Sequence, residues 1–408
     1  MTCDVKRGFI SYDESMKIIE ELKVNYTKTK KLFISDALGY VLAYDIIADH
    51  NSPAFPTSGM DGYAIKAEDQ KNGQIQIIGN NPAGSPLKDE VRSETCIKTF
   101  TGALMPSGSD TLIPIENVTV QGDKIIINSE VPCGFATRAV GENYKKNEVL
   151  IKAGSVIDYS QIGVCASLNI AQVEVYQKPL IAVASTGSEI LDLGEMQTND
   201  SQIRSSNHLT LEAIGRKYGA QVNQMGCVKD DKNSISKLMN EALNANDIVV
   251  TTGGVSVGDY DFVKDIIKDE LGATVVLQGV NIKPGQHIII AQKENKFIVG
   301  LPGFAYSSTV TFILYVLPLL FKLRGANETL NIIKAVMDES FTKKGDKTTF
   351  TACNLEKVDG EYHLNFREKK QGTSAILTNM LGNAGLLIHN EDTINPLSVG
   401  DKVDVLVV

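Results

Sequence analysis

Three observations predict a multidomain α/β protein. From Pro179 to about Gly325, short β-branched apolar runs alternate with segments of helical apolar spacing. Between Ser52 and about Val131, and again after Gly325, the texture changes to short β-type runs broken by Gly, Pro and Asn. A chain of 408 residues, 43% of them hydrophobic, suffices for two to four domains with cores of their own.

The alternating part reads in order. Residues 180–185 form a buried strand, with Thr186, Gly187, Ser188 and Glu189 at its end. Residues 207–218 form a helix closed by Gly219, and 222–228 a strand ending in Lys229, Asp230 and Asp231. A helix over 234–243 and a strand over 247–250 follow. Such alternation predicts a parallel sheet with right-handed crossovers, and ligands in such sheets bind beyond the carboxyl ends of the strands. Glu189, Asp230, Asp261 and the turn at Gly253 and Gly254 all fall at those ends.

The stretch 251–261 reads as strand end, glycine turn and helix start, with Asp259 or Asp261 capping a helix over 262–271. Gly253, Gly254 and Gly258 let backbone amides approach a ligand, and a helix start adds a positive dipole end, which suits a phosphate or oxyanion. Carboxylates at its far edge suit a divalent metal. Farther on, a loop over 280–286 carries Lys283 beside a Pro-Gly pair. Strands over 287–291 and 296–300 lead into an apolar helix over 306–323. That helix contains Ser, Thr and Pro318, so a buried core helix is expected rather than a membrane span.

Outside this part, residues 13–23 predict an amphipathic helix and 35–43 a second, short one. The β-rich stretch has strands near 74–78 and 124–128, and its turns present Asp61, Thr101 and Arg138. A strand and helix over 144–178 are expected to return onto the N-terminal helices, which makes the β domain an insertion. The chain end predicts a small β-barrel or sandwich. The expected domains are 1–50 with 140–178, then 51–139, 179–325 and 326–408.

A net charge of -9, no Trp and 6% aromatics offer neither a basic field nor a stacking surface, so no nucleic acid or membrane partner is expected. Six cysteines without a Cys-x-x-Cys pair indicate neither a zinc site nor a disulfide framework, and the five histidines show no metal-ligand spacing. No basic segment followed by an apolar core opens the chain, so a reducing cytoplasm is expected.

Taken together, Met60-Asp-Gly-Tyr-Ala64, Thr101-Gly-Ala103, Ser185-Thr-Gly with Glu189, and Thr252-Gly-Gly-Val-Ser-Val-Gly258 with Asp261 make a recognisable set. Lys283-Pro-Gly285, Gly300-Leu-Pro-Gly303 and Gln371-Gly-Thr373 complete it, in order, over nearly the whole chain. The chain thus resembles the MoeA/gephyrin E-domain family, the molybdopterin molybdenumtransferases. The resemblance implies a linker domain, an inserted β domain, a three-layer α/β/α molybdopterin-binding-like domain and a C-terminal β-barrel. It implies a homodimer in which the β domain of one subunit faces the α/β domain of the other.

It also implies a reaction: adenylylated molybdopterin and molybdate give molybdenum cofactor and AMP, with Mg2+. Asp61, Glu189, Asp230 and Asp261 match the family's acidic positions, with Glu189 and Asp261 as metal ligands. Thr101 and Arg138 match positions lining the pocket from the partner subunit. Lys283, with the Gly253 and Gly254 amides, would contact phosphate, and Lys347 and Thr373 would lie near molybdate. Transient contact with molybdopterin adenylyltransferase or recipient molybdoenzymes is implied as well.

Several positions depart from the family pattern: Asn143 and Ser188 replace acids, and Gly279 replaces a lysine. Gln286 stands for a lysine, Phe304 and Ala305 for Asn-Pro, and Lys347 for an arginine, which loses a two-pronged oxyanion fork. A second reading follows from these losses: a re-purposed or non-catalytic relative that binds a pterin or nucleotide, or scaffolds cofactor delivery. A third, a nucleotide pyrophosphatase, is opposed by the β domain and the barrel.

Overall fold

The computed structural model describes residues 9–86, 88–255 and 262–408. Gly258, the capping Asp259 and the site residue Asp261 lie outside the described residues. The chain divides into two compact units. The larger holds Met1–Ala43, Gly154–Tyr159 and Gln172–Val408; the smaller holds Tyr44–Ala153 and Ser160–Ala171.

The larger unit is built on a six-stranded sheet. Gln221–Val228, Leu180–Thr186, Ile248–Thr252 and Lys296–Leu301 lie side by side in parallel. Ile289–Lys293 and then Thr274–Gln278 extend the sheet antiparallel, a departure from the expected all-parallel order. Only Glu294 and Asn295 separate Ile289–Lys293 from Lys296–Leu301. Two residues can close a hairpin but not a crossover.

Alternate residues of the central strands feed two cores. Ile181, Val183, Ile248 and Val250 pack toward the helical run from Ala305 to Leu323. Ala182, Val249 and Ile298 pack on the other face against Ile235, Met239, Ile266 and Ile267. Period-two side-chain alternation thus makes three layers. The run Ala305–Leu323 is long and apolar enough to cross a membrane, but 89% of it is buried in the fold, as expected of a core helix.

After it, Thr348–Val358 pairs with Glu361–Asn365 on one side and Ala384–His389 on the other. Ile332–Met337 and Lys402–Val407 close the ring, so a barrel forms rather than a sandwich. Closure removes free strand edges. Ile282–Lys283 pairs parallel with Thr348 and Thr349, which anchors the Lys283 loop to the barrel.

The first helix spans Tyr12–Glu21, capped by the Ser11 hydroxyl accepting from the Glu14 amide. The expected helix over 35–43 is a single turn, Ile34–Asp36. Val41 and Leu42 are instead extended, bridging to Val156 and Val175. Those apolar, branched positions gain more by pairing as strand than by one more helical turn.

The smaller unit carries a six-stranded sheet in the order Thr111–Pro114, Gly62–Ile65, Thr95–Thr99, Gln74–Asn81, Lys124–Ile127, Val118–Gln121. The helix Tyr159–Ser167 packs within this unit, where Val164 and Leu168 meet Ala48, Tyr144 and Leu150. Of the stretch 144–178 expected to return onto the N-terminal segment, Gly154–Tyr159 and the strand Gln172–Tyr176 belong to the larger unit, Val156 bridging to Val41 and Gln172–Tyr176 pairing with Thr29–Phe33, whereas Ser160–Ala171 belongs to the smaller one.

Candidate functional site

A cleft of about 1540 Å³, mouth included, opens at the carboxyl ends of Leu180–Thr186 and Ile248–Thr252. The sheet order reverses here: from Leu180–Thr186 the chain moves first to one neighbour, Gln221–Val228, and then to the other, Ile248–Thr252. Such a reversal leaves a crevice between the crossovers. Glu189, Asp230, Gly253 and Gly254 all line it, so four of the residues singled out by sequence meet in one place.

Each is held by local bonds. Asp230 Oδ2 accepts from the Ser188 amide at 3.2 Å, and the Asp230 amide donates back to Ser188 Oγ at 3.2 Å. This reciprocal clamp ties two strand ends together and explains a serine at position 188. Gly253 has φ +96, and a Cβ there would come within 2.7 Å of the Thr186 carbonyl oxygen. At Gly254, with φ +67, a Cβ would meet Val263 Cγ2 at 2.8 Å. Only glycine fits at these two positions. The Gly253 amide, expected to face a ligand, donates instead to the Leu301 carbonyl at 2.9 Å.

The cleft wall also contains Arg204, Ser205, Ser206 and Asn207, which sequence reasoning missed. Asn207 Nδ2 donates to the Gly303 carbonyl at 2.7 Å and to Thr252 Oγ1 at 3.3 Å, joining helix start, strand end and loop. No side chain caps the helix Asn207–Lys217 at Ser206. Its first amides therefore lack a side-chain acceptor at the cleft wall, an arrangement that favours anions. The legible signal was the Arg-Ser-Ser-Asn run preceding a helix pattern.

Lys283 and Lys347 lie in an adjoining groove that shares His287, Pro302 and Phe304 with the main cleft. Lys347 is half-buried and donates to Gln286 Oε1. The groove shares Lys283, Pro284 and Ser374 with a further hollow at the barrel, which contains Thr373 together with Lys343, Lys344 and Lys370. Those three cations were not anticipated. Lys343 is buried, with Nζ on the carbonyls of Asn390 at 2.6 Å and Glu391 at 3.3 Å. Phe304 is 63% exposed at the cleft wall. At Gly279, φ is +76 and a Cβ would come within 2.4 Å of the Phe9 ring, so a lysine there would be strained and the ring would have to shift.

In the smaller unit, the remaining three candidates share one braid of backbone. Thr57–Ser58 pairs with Thr137–Arg138 and bridges to Leu104. Asp61 Oδ1 accepts from the Thr101 hydroxyl at 2.6 Å and from the Thr101 amide at 2.8 Å. These two bonds, the hydroxyl's first, hold the Asp61 carboxyl below its ordinary range. Arg138 Nε donates to Glu142 Oε1 at 3.0 Å. Asp61, Thr101 and Arg138 are all exposed. The oxygen donors of Glu189 and Asp230 are of the hard kind that suits Mg2+. The one convergent Asp/His/Cys/Glu group among the described residues is a different set: Asp192, His208 and Cys227.

Comparison with known proteins agrees with this architecture. Residues 10–169 match the family model "MoeA N-terminal region (domain I and II)", and 182–322 match "Probable molybdopterin binding domain". A molybdopterin molybdenumtransferase of Haemophilus influenzae is 34% identical over 333 residues, covering 78% of this chain and 81% of that protein. One from Staphylococcus aureus is 33% identical, covering 78% of this chain and 77% of that protein. The crystal structure of the molybdopterin biosynthesis moeA protein from Pyrococcus horikoshii superposes with a TM-score of 0.82 at 26% identity, covering 98% of this chain and 100% of that one. With the cleft at the sheet's switch point and a closed barrel beside it, these likenesses over most of the chain place the protein in the molybdopterin molybdenumtransferase family of molybdenum cofactor biosynthesis enzymes.

Proposed function

We propose that the enzyme inserts molybdate into adenylylated molybdopterin and releases AMP, in a Mg2+-dependent reaction carried out by a cytoplasmic homodimer. One observation carries this reading: an acid-bearing cleft at the strand ends runs on through a shared groove to a lysine-lined hollow at the barrel. Splitting a pyrophosphate link requires acidic groups to hold a cation and orient water, and positive charge for the phosphate oxygens. Separate but adjoining compartments suit a phosphate-bearing pterin and an oxyanion.

In this reading Glu189 and Asp261 would hold Mg2+, and Asp230 would help to orient the attacking water. The bound ion supplies charge neutralisation at the phosphates. The uncapped helix start at Asn207 and Lys283 receive the developing phosphate charge. Lys347 and Thr373, with Lys344 and Lys370, attract molybdate. Asp61, Thr101 and Arg138 serve the same reaction from the second subunit, and the four-domain division at residues 50, 139, 178 and 325 belongs to the same proposal. Transient handover to recipient molybdoenzymes, and receipt from molybdopterin adenylyltransferase, complete it.

The test is AMP release from adenylylated molybdopterin with molybdate and Mg2+. Release that needs all three supports the reading. Pterin binding without release would favour the re-purposed relative, for which the exposed Phe304 and a glycine at position 279 already speak. Mixing inactive Asp61→Ala and Glu189→Ala proteins tests the dimer, since a shared site regains activity in the mixed pair.

A further inference from the structure

Beside the cleft, and not lining it, three side chains of different chemistry converge. One ring nitrogen of His208, Sγ of Cys227 and a carboxylate oxygen of Asp192 all lie within 4.8 Å of one another. They come from three elements: Asp192 follows the short strand Ile190–Leu191, His208 stands in the first turn of Asn207–Lys217, and Cys227 is near the end of Gln221–Val228. We propose that Asp192, His208 and Cys227 bind a zinc-class divalent transition metal that pins the cleft-lining segment 187–206 to the sheet.

The independent observation is His208. It is fully buried, and its Nε2 has no hydrogen-bond partner. Asp192 Oδ1 is only 3.2 Å from Nε2, yet no hydrogen bond forms between them. A buried ring nitrogen left so is costly unless something else completes it. The opposite nitrogen is engaged: Nδ1 meets Ser205 Oγ at 3.0 Å, and Ser205 Oγ meets Ser185 Oγ at 3.0 Å. That bond fixes the ring and aims Nε2 at the cluster, the usual arrangement behind a metal-bound histidine. A Cys–His–Asp catalytic triad would need the cysteine and the aspartate on opposite ring nitrogens, and the serine occupies one of them.

The donor set decides the ion. Thiolate and imidazole select zinc-like metals over Mg2+, and three protein ligands leave a fourth position for water. Burial foremost, and then the Asp192 charge, push the Cys227 thiol up to about 11. On binding, Sγ bonds to the ion and its proton leaves to solvent. Sequence spacing gave no hint of this site, because its ligands are 16 and 19 residues apart along the chain.

The test is a Co2+ titration of the metal-stripped full chain. Expected are one equivalent per chain, a thiolate-to-cobalt charge-transfer band, tetrahedral visible bands, and persistence of all three in excess Mg2+. Cys227→Ala abolishes the charge-transfer band. Asp192→Asn, at a half-exposed position, weakens binding at least about tenfold, and Ser205→Ala weakens it roughly tenfold to a hundredfold. Zn2+ slows proteolytic cutting within 187–206 in the parent but not in Cys227→Ala. Absence of stoichiometric uptake, or a charge-transfer band that survives Cys227→Ala, overturns the proposal.

Discussion

The Lys347 ammonium donates a hydrogen bond to the side-chain oxygen of Gln286. The resemblance set out above implies an arginine and a lysine at these two positions, and in three dimensions the two residues present make one contact. An ammonium beside a neutral amide places one cation here, where an arginine and a lysine would place two. This lowers local repulsion and leaves one charge for an anion.

Lys347→Ala is therefore expected to raise the molybdate concentration needed for half-maximal cofactor formation about tenfold, the equivalent of about 1.4 kcal/mol. Pterin affinity should stay unchanged. Lys347→Arg should lower the molybdate requirement by restoring a two-pronged donor. Equal molybdate dependence across the three proteins would remove Lys347 from the oxyanion site.

Asp61 supplies a pH prediction. The Thr101 hydroxyl and amide hold its carboxyl below the ordinary value. A depressed folded value adds stability above the unfolded value of about 4, and that stability is lost as pH falls through the folded value. In Thr101→Val the hydroxyl bond is gone, so the Asp61 titration followed by NMR should move upward toward the unfolded value. An unmoved titration would assign the shift to the amide and the Lys98 charge.

The glycine turn predicts a graded cost. Gly253→Ala meets both a left-handed φ and the Thr186 carbonyl at 2.7 Å. Gly272→Ala meets a φ of +60 with nothing within 4 Å. Backbone strain alone costs about 1–3 kcal/mol. Chemical denaturation should show Gly253→Ala losing more than Gly272→Ala, because its φ of +96 lies farther from the left-handed well and the Thr186 carbonyl adds a clash. Equal losses would mean the strand ends can part without penalty.

The barrel is held to the core helix by Tyr306, whose hydroxyl donates to the Phe350 carbonyl at 2.9 Å in a buried setting. Tyr306→Phe should cost about 1 kcal/mol. Phe350→Ala, which empties a fully buried ring beside Tyr12, should cost about 3–5 kcal/mol. Thermal unfolding that separates barrel from sheet in Phe350→Ala would locate the seam.

Much of this molecule was determined by sequence alone, because local pattern and long-range order agree where apolar periodicity is strong. Alternation at 181–183 and 248–250 sets both faces of the central strands, and helices of either face follow from it. The Gly253-Gly254 turn, Glu189 and Asp230 were legible because strand ends in such sheets share one edge. Tertiary structure alone decided the rest. Val41 and Leu42 read as helix until strand partners at 156 and 175 claimed them. Tyr159–Ser167 took its place from the apolar side chains nearest its own face. Lys343, Lys344 and Lys370, the Gln286–Lys347 contact and the Asp192–His208–Cys227 cluster were invisible beforehand for one physical reason. A side chain's chemistry depends on which distant neighbours remove its water, and linear spacing does not record them.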